Sequence, residues 1–136
     1  MEKIYDFGEL HDSVLYALLS LNHVVELYFT KTQHKKDVKI VLRGVKYMIV
    51  EDFREGNIVL DARIYPVKQL DNQTCLKLIC NNIDKIEESK KSFQEMNVFE
   101  INCSYGCTLY ILFDRIKLSS SCAGVRPGLL KTEKAP

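Results

Sequence analysis

The sequence predicts an α+β fold: an antiparallel β-meander sheet packed with one main helix and a C-terminal β-hairpin. Three observations carry this reading. Residues 24–65 alternate between apolar and polar side chains with a period of two. Residues 76–86 change to the spacing of a helix face. Two β-rich runs then flank the tripeptide Ser104-Tyr105-Gly106.

The first ordered run, Ser13 to Leu21, is too continuously apolar for its period to decide between strand and helix. Val25, Leu27 and Phe29 alternate with Val24, Glu26 and Tyr28, which reads as a strand with one buried face. Val38, Ile40 and Leu42 repeat the pattern after the polar stretch Thr30 to Asp37, so the two runs form a hairpin. Gly44 marks a bend or bulge, and Val45, Tyr47 and Ile49 resume the alternation as far as Glu51-Asp52. Arg54-Glu55-Gly56-Asn57 supplies turn chemistry before the run Ile58 to Tyr65, which stops at Pro66. A meander is the economical way to connect these runs.

Leu76, Ile79, Cys80, Ile83 and Ile86 follow the i, i+3, i+4, i+7 spacing of one helix face, within a helix placed between residues 75 and 95. Glu87 and Lys91 are spaced for an i, i+4 pair, and Asn81-Asn82 is a point where the segment could instead break in two. Val98 to Cys103 and Cys107 to Phe113 form the closing hairpin, with Gly106 free to take the positive φ of a tight connection. Residues 1–118 read as a single domain and 119–136 as a loosely ordered tail, because that tail has no sustained apolar period.

A chain of 136 residues buries roughly two-thirds of its unfolded surface. The apolar fraction of 46% and charged fraction of 27% are those of a globular domain, which excludes a disordered or fibrous chain. The opening residues lack the apolar run of a signal peptide, and no stretch approaches the ~20 apolar residues of a membrane span. An odd set of five cysteines, Cys75, Cys80, Cys103, Cys107 and Cys122, argues for reduced thiols and a cytoplasmic setting.

With a net charge of +1, the total gives no basic footprint for nucleic acid, and the stretch from Lys31 to Lys46 has Tyr47 beside it but no aromatic platform motif. The charge is nevertheless uneven: residues 1–30 hold five acids against one base, while Lys31, Lys35, Lys36, Lys39, Arg43 and Lys46 face only Asp37 in residues 31–46. Such a division marks either a solvated loop or a binding face. For a binding face, tyrosines are the natural anchors. Lys31, Lys35 and Lys36 with Tyr28, Tyr65 and Tyr105 form the candidate partner-binding set, and Tyr110 is a further possible anchor.

Catalytic signatures are sparse. There is no Gly-x-Ser-x-Gly elbow, and the six glycines are scattered rather than gathered into a phosphate-binding loop. Neither Cys75/Cys80 nor Cys103/Cys107 has the Cys-x-x-Cys spacing of a zinc knuckle, so no cofactor is called for. The competing reading is a small-ligand or metal-binding domain with weak enzymatic activity, built on His11, Asp12, Cys103 and Cys107.

His11-Asp12-Ser13, Leu42-Arg43-Gly44-Val45, Glu55-Gly56-Asn57, Phe99-Glu100-Ile101 and Ser104-Tyr105-Gly106 occur in an order that resembles small uncharacterised bacterial proteins. Some of these look like immunity proteins of polymorphic toxin systems, and the likeness spans about residues 8–118. The resemblance implies a non-enzymatic protein-binding domain that neutralises a toxin domain by direct contact. Complementary charge would then speed the encounter. The resemblance carries no catalytic residues to transfer, and the charge and apolar pattern call for neither a nucleic-acid nor a membrane partner.

Overall fold

A computed structural model describes residues 5–31 and 36–118. Its strands are β1 (Tyr5–Asp6), β2 (Val14–Leu21), β3 (Val24–Lys31), β4 (Lys36–Arg43), β5 (Tyr47–Glu51), β6 (Asn57–Pro66), β7 (Asn97–Cys103), β8 (Thr108–Phe113) and β9 (Arg115–Leu118). Two short helices, α1 (Asn72–Leu78) and α2 (Ile86–Ser92), lie between β6 and β7. The strands form one antiparallel sheet in the order β5-β8-β7-β6-β2-β3-β4-β9, with β1 added against β6. Strand dominates, and the α+β class holds. Among the described residues no helix is long and apolar enough to cross a membrane.

The β3–β4 hairpin forms in the expected register, with Phe29 opposite Val38 and Leu27 opposite Ile40. The continuous apolar run from Val14 to Leu21 is a strand, and a bulge explains its obscured period. Leu15 pairs with Phe29 but Ala17 pairs with Tyr28, so Tyr16 is an extra residue that resets the alternation.

Beyond β4 the meander expectation fails. Gly44 takes φ +68°, and Val45 donates its N–H to the His23 carbonyl, turning the chain out of line with β4. β5 then pairs with β8 rather than with β4 or β6, and β6 pairs with β2 as well as with β7. Across the sheet, Asp114 separates β8 from β9 as Gly44 separates β4 from β5. The two bent runs pair on both sides of the bend, Tyr47 opposite Leu112 and Arg43 opposite Arg115. A Cβ on Gly44 would lie 2.7 Å from the Asp114 Cβ, so only glycine allows this close approach.

The bend folds the sheet over on itself. Inward residues from both halves meet in one core: Val25, Leu27, Phe29 and Ile40 from one, and Ile64, Phe99, Ile101 and Ile111 from the other. Phe7 stacks on Phe99 at 5.2 Å between ring centroids and seals one part of this layer. Burying side chains of this size contributes roughly 1.5–3 kcal/mol each.

A second core lies on the opposite face of the β6-β7-β8 half, where Tyr65, Val98 and Leu112 pack under Cys75 and Leu78 of α1 and Ile86 of α2. The single helix expected between 75 and 95 is thus two. Asn82 accepts the Asp84 N–H at 2.9 Å and opens a short 3-10 turn, so the asparagine pair ends one helix and starts the next. Asp71 caps α1 by accepting the Thr74 N–H at 2.8 Å. The closing hairpin is β7–β8, with Asn102 opposite Thr108 across Ser104-Tyr105-Gly106. Residues 119–136, expected to be a loose tail, lie outside the described residues.

Candidate functional site

Among the described residues, helices cover one half of the folded sheet. On the other half, residues directly opposite one another share a face, so the register fixes what the outer surface carries. Ala17, Leu19 and Leu21 of β2 sit opposite Tyr28, Glu26 and Val24 of β3. Those residues sit opposite Lys39, Val41 and Arg43 of β4, and Val41 and Arg43 face Lys117 and Arg115 of β9. Three exposed apolar side chains lie at the β2 side: Tyr16 at 49%, Leu19 at 57% and Leu21 at 74%. Basic residues occupy the β4 and β9 side.

A small polar network orders the middle of this face. The Tyr28 hydroxyl donates to Glu26 Oε2 at 2.6 Å, and Lys39 Nζ stands 3.3 Å from Glu26 Oε1. Lys39 also lies over the Tyr28 ring, 5.6 Å from its centroid. The Tyr28 hydroxyl, with Lys39 beside it, holds the Glu26 carboxyl below the usual carboxylate range, and the same bond pushes the Tyr28 phenol up. Tyr16 packs on Tyr28 at 6.1 Å. The result is a tyrosine pair with a fixed orientation beside basic charge, a combination suited to contact with another protein surface.

Of the sequence-derived partner set, Tyr28 is on this face. Lys31 pairs with Lys36 where β3 meets β4, and Lys35 lies outside the described residues. Tyr105 is 79% exposed at the tip of the β7–β8 connection, with φ +63°. Tyr65 is elsewhere: it is buried beneath the helices with its hydroxyl donated to Glu100 at 2.8 Å, so it presents no surface to a partner. Tyr110 is partly buried in the same second core.

The metal set does not converge. His11 Nδ1 is 3.2 Å from Asp12 Oδ2 at the exposed surface, while Cys103 and Cys107 are buried in the core between the two halves of the sheet. No group of three or more His, Cys, Asp or Glu side chains able to hold a metal ion occurs among the described residues. Cys75, Cys80, Cys103 and Cys107 are free and buried. Burial pushes the Cys103 thiol up to about 12 and that of Cys75 up to about 11, which keeps both protonated near neutral pH.

One cluster escaped the sequence reading. Glu100 is 7% exposed in the middle of β7 and accepts from Arg63, from the Tyr65 hydroxyl and from Asn102 Nδ2. Asn102 Nδ2 also reaches Asp61 Oδ1 at 2.9 Å. Burial alone would raise the Glu100 carboxyl, but the donors from Arg63, Tyr65 and Asn102 outweigh it and hold the group below its ordinary value. A carboxylate kept ionised with both oxygens occupied is a clamp between β6 and β7 rather than a proton donor near neutral pH. Its sequence signal was a lone acid between Phe99 and Ile101 in an otherwise apolar run. The exposed Leu19 and Leu21 were also missed, because the bulge at Tyr16 hides which leucines point outward.

No protein-family model, curated protein or solved structure matches the chain.

Proposed function

We propose that this chain is a non-enzymatic protein-binding domain whose contact surface is the outer face of β2, β3, β4 and β9. The observation that carries the reading is the oriented Tyr16–Tyr28 pair beside Lys39, on a sheet face that no described helix covers. The two rings supply rigid contact area at little cost in side-chain entropy, and the bases offer steering toward an acidic surface. Arg43, Lys117 and Arg115 extend the basic charge along the β4–β9 ladder.

The partner class suggested by the sequence resemblance is a bacterial toxin domain, neutralised by occlusion. Binding by occlusion asks nothing of the chain but a stable face, which accords with the burial of Cys75, Cys80, Cys103 and Cys107 and with an acid clamped in its ionised form.

The test is capture of the product of the neighbouring reading frame by the purified chain at low salt. Tyr28→Ala and Lys117→Glu should each weaken capture at least tenfold, while Tyr105→Ala, on the β7–β8 connection, should leave it unchanged. Capture that is indifferent to Tyr28 and Lys117 would move the contact surface elsewhere. Failure to retain that product at low salt would count against the toxin-domain partner.

A further inference from the structure

In a continuous helix, residues five apart lie on different faces, ~140° around the axis and ~7.5 Å along it. Cys75 and Cys80 escape that separation. α1 ends at Leu78, and the Cys75 carbonyl then accepts two N–H groups, from Ile79 at 2.9 Å and from Cys80 at 3.1 Å. The second bond folds Cys80 back over the last turn. It brings the two sulfurs to 3.9 Å, with Cys80 Sγ also 3.8 Å from the Cys75 carbonyl oxygen.

A disulfide needs its sulfurs at about 2.05 Å, so each would travel only roughly 1 Å to bond. That is the scale of a side-chain rotation, and the backbone turn already holds the two residues together, so little chain entropy opposes closure.

The pair also sits where the structure opens most readily. Cys80 is 9% exposed and Cys75 fully buried, both in the second core against the helices. Cys103 and Cys107 are placed differently. They lie in the core between the two halves of the sheet, tied by the Cys103 N–H to the Cys107 carbonyl at 2.8 Å. Reaching them requires the halves to part, whereas reaching Cys80 requires only the last turn of α1 to open.

We propose that Cys75 and Cys80 form a redox-active dithiol, which a low-molecular-weight disulfide such as glutathione disulfide closes to a Cys75–Cys80 bond with the fold intact. Cys80, nearer the surface, gives up its thiol proton and attacks one sulfur of the oxidant. A mixed disulfide forms on Cys80, and one glutathione leaves and takes up a proton. Cys75 then loses its proton and attacks Cys80 Sγ, which breaks the bond to the second glutathione and releases it as a thiol. Two protein thiols are oxidised, one glutathione disulfide is reduced to two thiols, and two protons pass from the cysteines to them.

Burial and the Cys80 thiol beside it push the Cys75 thiol up to about 11, against a smaller opposing pull from Lys90 of α2. The second step is therefore slow near neutral pH and quickens as pH rises. Burial slows the exchange without setting its end point. Closure pins the last turn of α1 to the Asn81-Asn82 connection and leaves the face of β2, β3, β4 and β9 unchanged, so it is independent of the partner-binding reading.

The experiment equilibrates the reduced full chain in graded mixtures of glutathione and glutathione disulfide, then quenches with acid, alkylates and digests with trypsin. Cleavage at Lys77 puts Cys75 in peptide 69–77 and Cys80 in peptide 78–85, while Cys103 and Cys107 share peptide 92–115. A linked 69–77/78–85 species should appear at least tenfold faster than any bond between Cys103 and Cys107, and reducing agent should reverse it. The far-UV circular dichroism should not change, and the Ile79 and Cys80 amides should gain hydrogen-exchange protection on oxidation. Cys75→Ala should stop at a glutathione adduct on Cys80. Both thiols staying reduced in excess glutathione disulfide overturns the proposal, as does a parent chain that stops at the Cys80 adduct. A linked peptide that forms no faster than the Cys103–Cys107 bond, or only with loss of the native spectrum, also overturns it, because closure would then follow unfolding. Tyr28→Ala should oxidise like the parent, which separates failure of this proposal from failure of partner binding.

Discussion

Removing the Glu100 carboxylate should destabilise the fold by about 3 kcal/mol, even though the residue touches no candidate partner surface. Glu100→Ala strips the acceptor from the Tyr65 hydroxyl, which stays buried under the helices. A buried hydroxyl left without a partner costs about 1–3 kcal/mol. The lost Arg63 contact adds about 1 kcal/mol once discounted for solvent, because the Arg63 side chain is 41% exposed. Asn102 loses little, since Asp61 remains as its acceptor. For a domain of this size the sum corresponds to a fall of about 10 °C in Tm.

Urea unfolding followed by far-UV circular dichroism is the assay, and Glu100→Gln, which preserves shape but removes the charge, should lose about half as much. The pH dependence has a definite sign. The folded carboxyl lies below its unfolded value of about 4.3, so its stabilisation is fully present above that pH and is lost as pH falls through the folded value. Glu100→Gln should flatten the acid limb of the stability profile. A loss below about 0.5 kcal/mol for Glu100→Ala, the range of a neutral surface change, would refute the clamp. An acid limb unchanged in Glu100→Gln would refute the assigned ionisation.

Three further outcomes follow from the same structure. Gly44→Ala should cost at least about 2 kcal/mol, from positive φ plus the clash with Asp114, whereas Gly56→Ala, also at positive φ but with open space around it, should cost about 1 kcal/mol in denaturant titrations. Asp71→Ala should cost about 1 kcal/mol through loss of the α1 cap, with α1 amides losing hydrogen-exchange protection before the sheet does. Thiol labelling near pH 8, mapped by peptide mass, should reach Cys75, Cys80, Cys103 and Cys107 only at the rate of opening, because all four are buried.

The parts of the fold that local pattern determines were readable in advance. The β3–β4 hairpin follows from strict alternation at Val25, Leu27 and Phe29, and the β7–β8 hairpin from Gly106 between two β-rich runs. Long-range pairing was not readable. Alternation at Tyr47 and Ile49 declares a strand, but nothing local says that its neighbour is β8, some sixty residues later. Gly44 read as a bend or bulge within a meander. Its partner Asp114 makes it the point where the sheet folds over, and that close approach is a tertiary fact. The helical segment was legible as helical, and the asparagines at 81 and 82 marked the break that the apolar spacing ran across.

The candidate surface was half legible for the same reason. Basic residues near Lys31 and an anchor at Tyr28 could be named from composition. Tyr65 could not be sorted from Tyr28 without knowing which half of the sheet the helices cover. The bulge at Tyr16 reversed the inside and outside of β2, concealing Leu19 and Leu21.

The most direct measurement of the central claim is hydrogen exchange on the chain with and without the neighbouring gene product. Added protection should fall on β3 and β4, around Tyr28 and Lys39, and disappear in Tyr28→Ala. Protection confined to the helices or to the β7–β8 connection, or none at low salt, would contradict a contact surface on the outer face of β2, β3, β4 and β9.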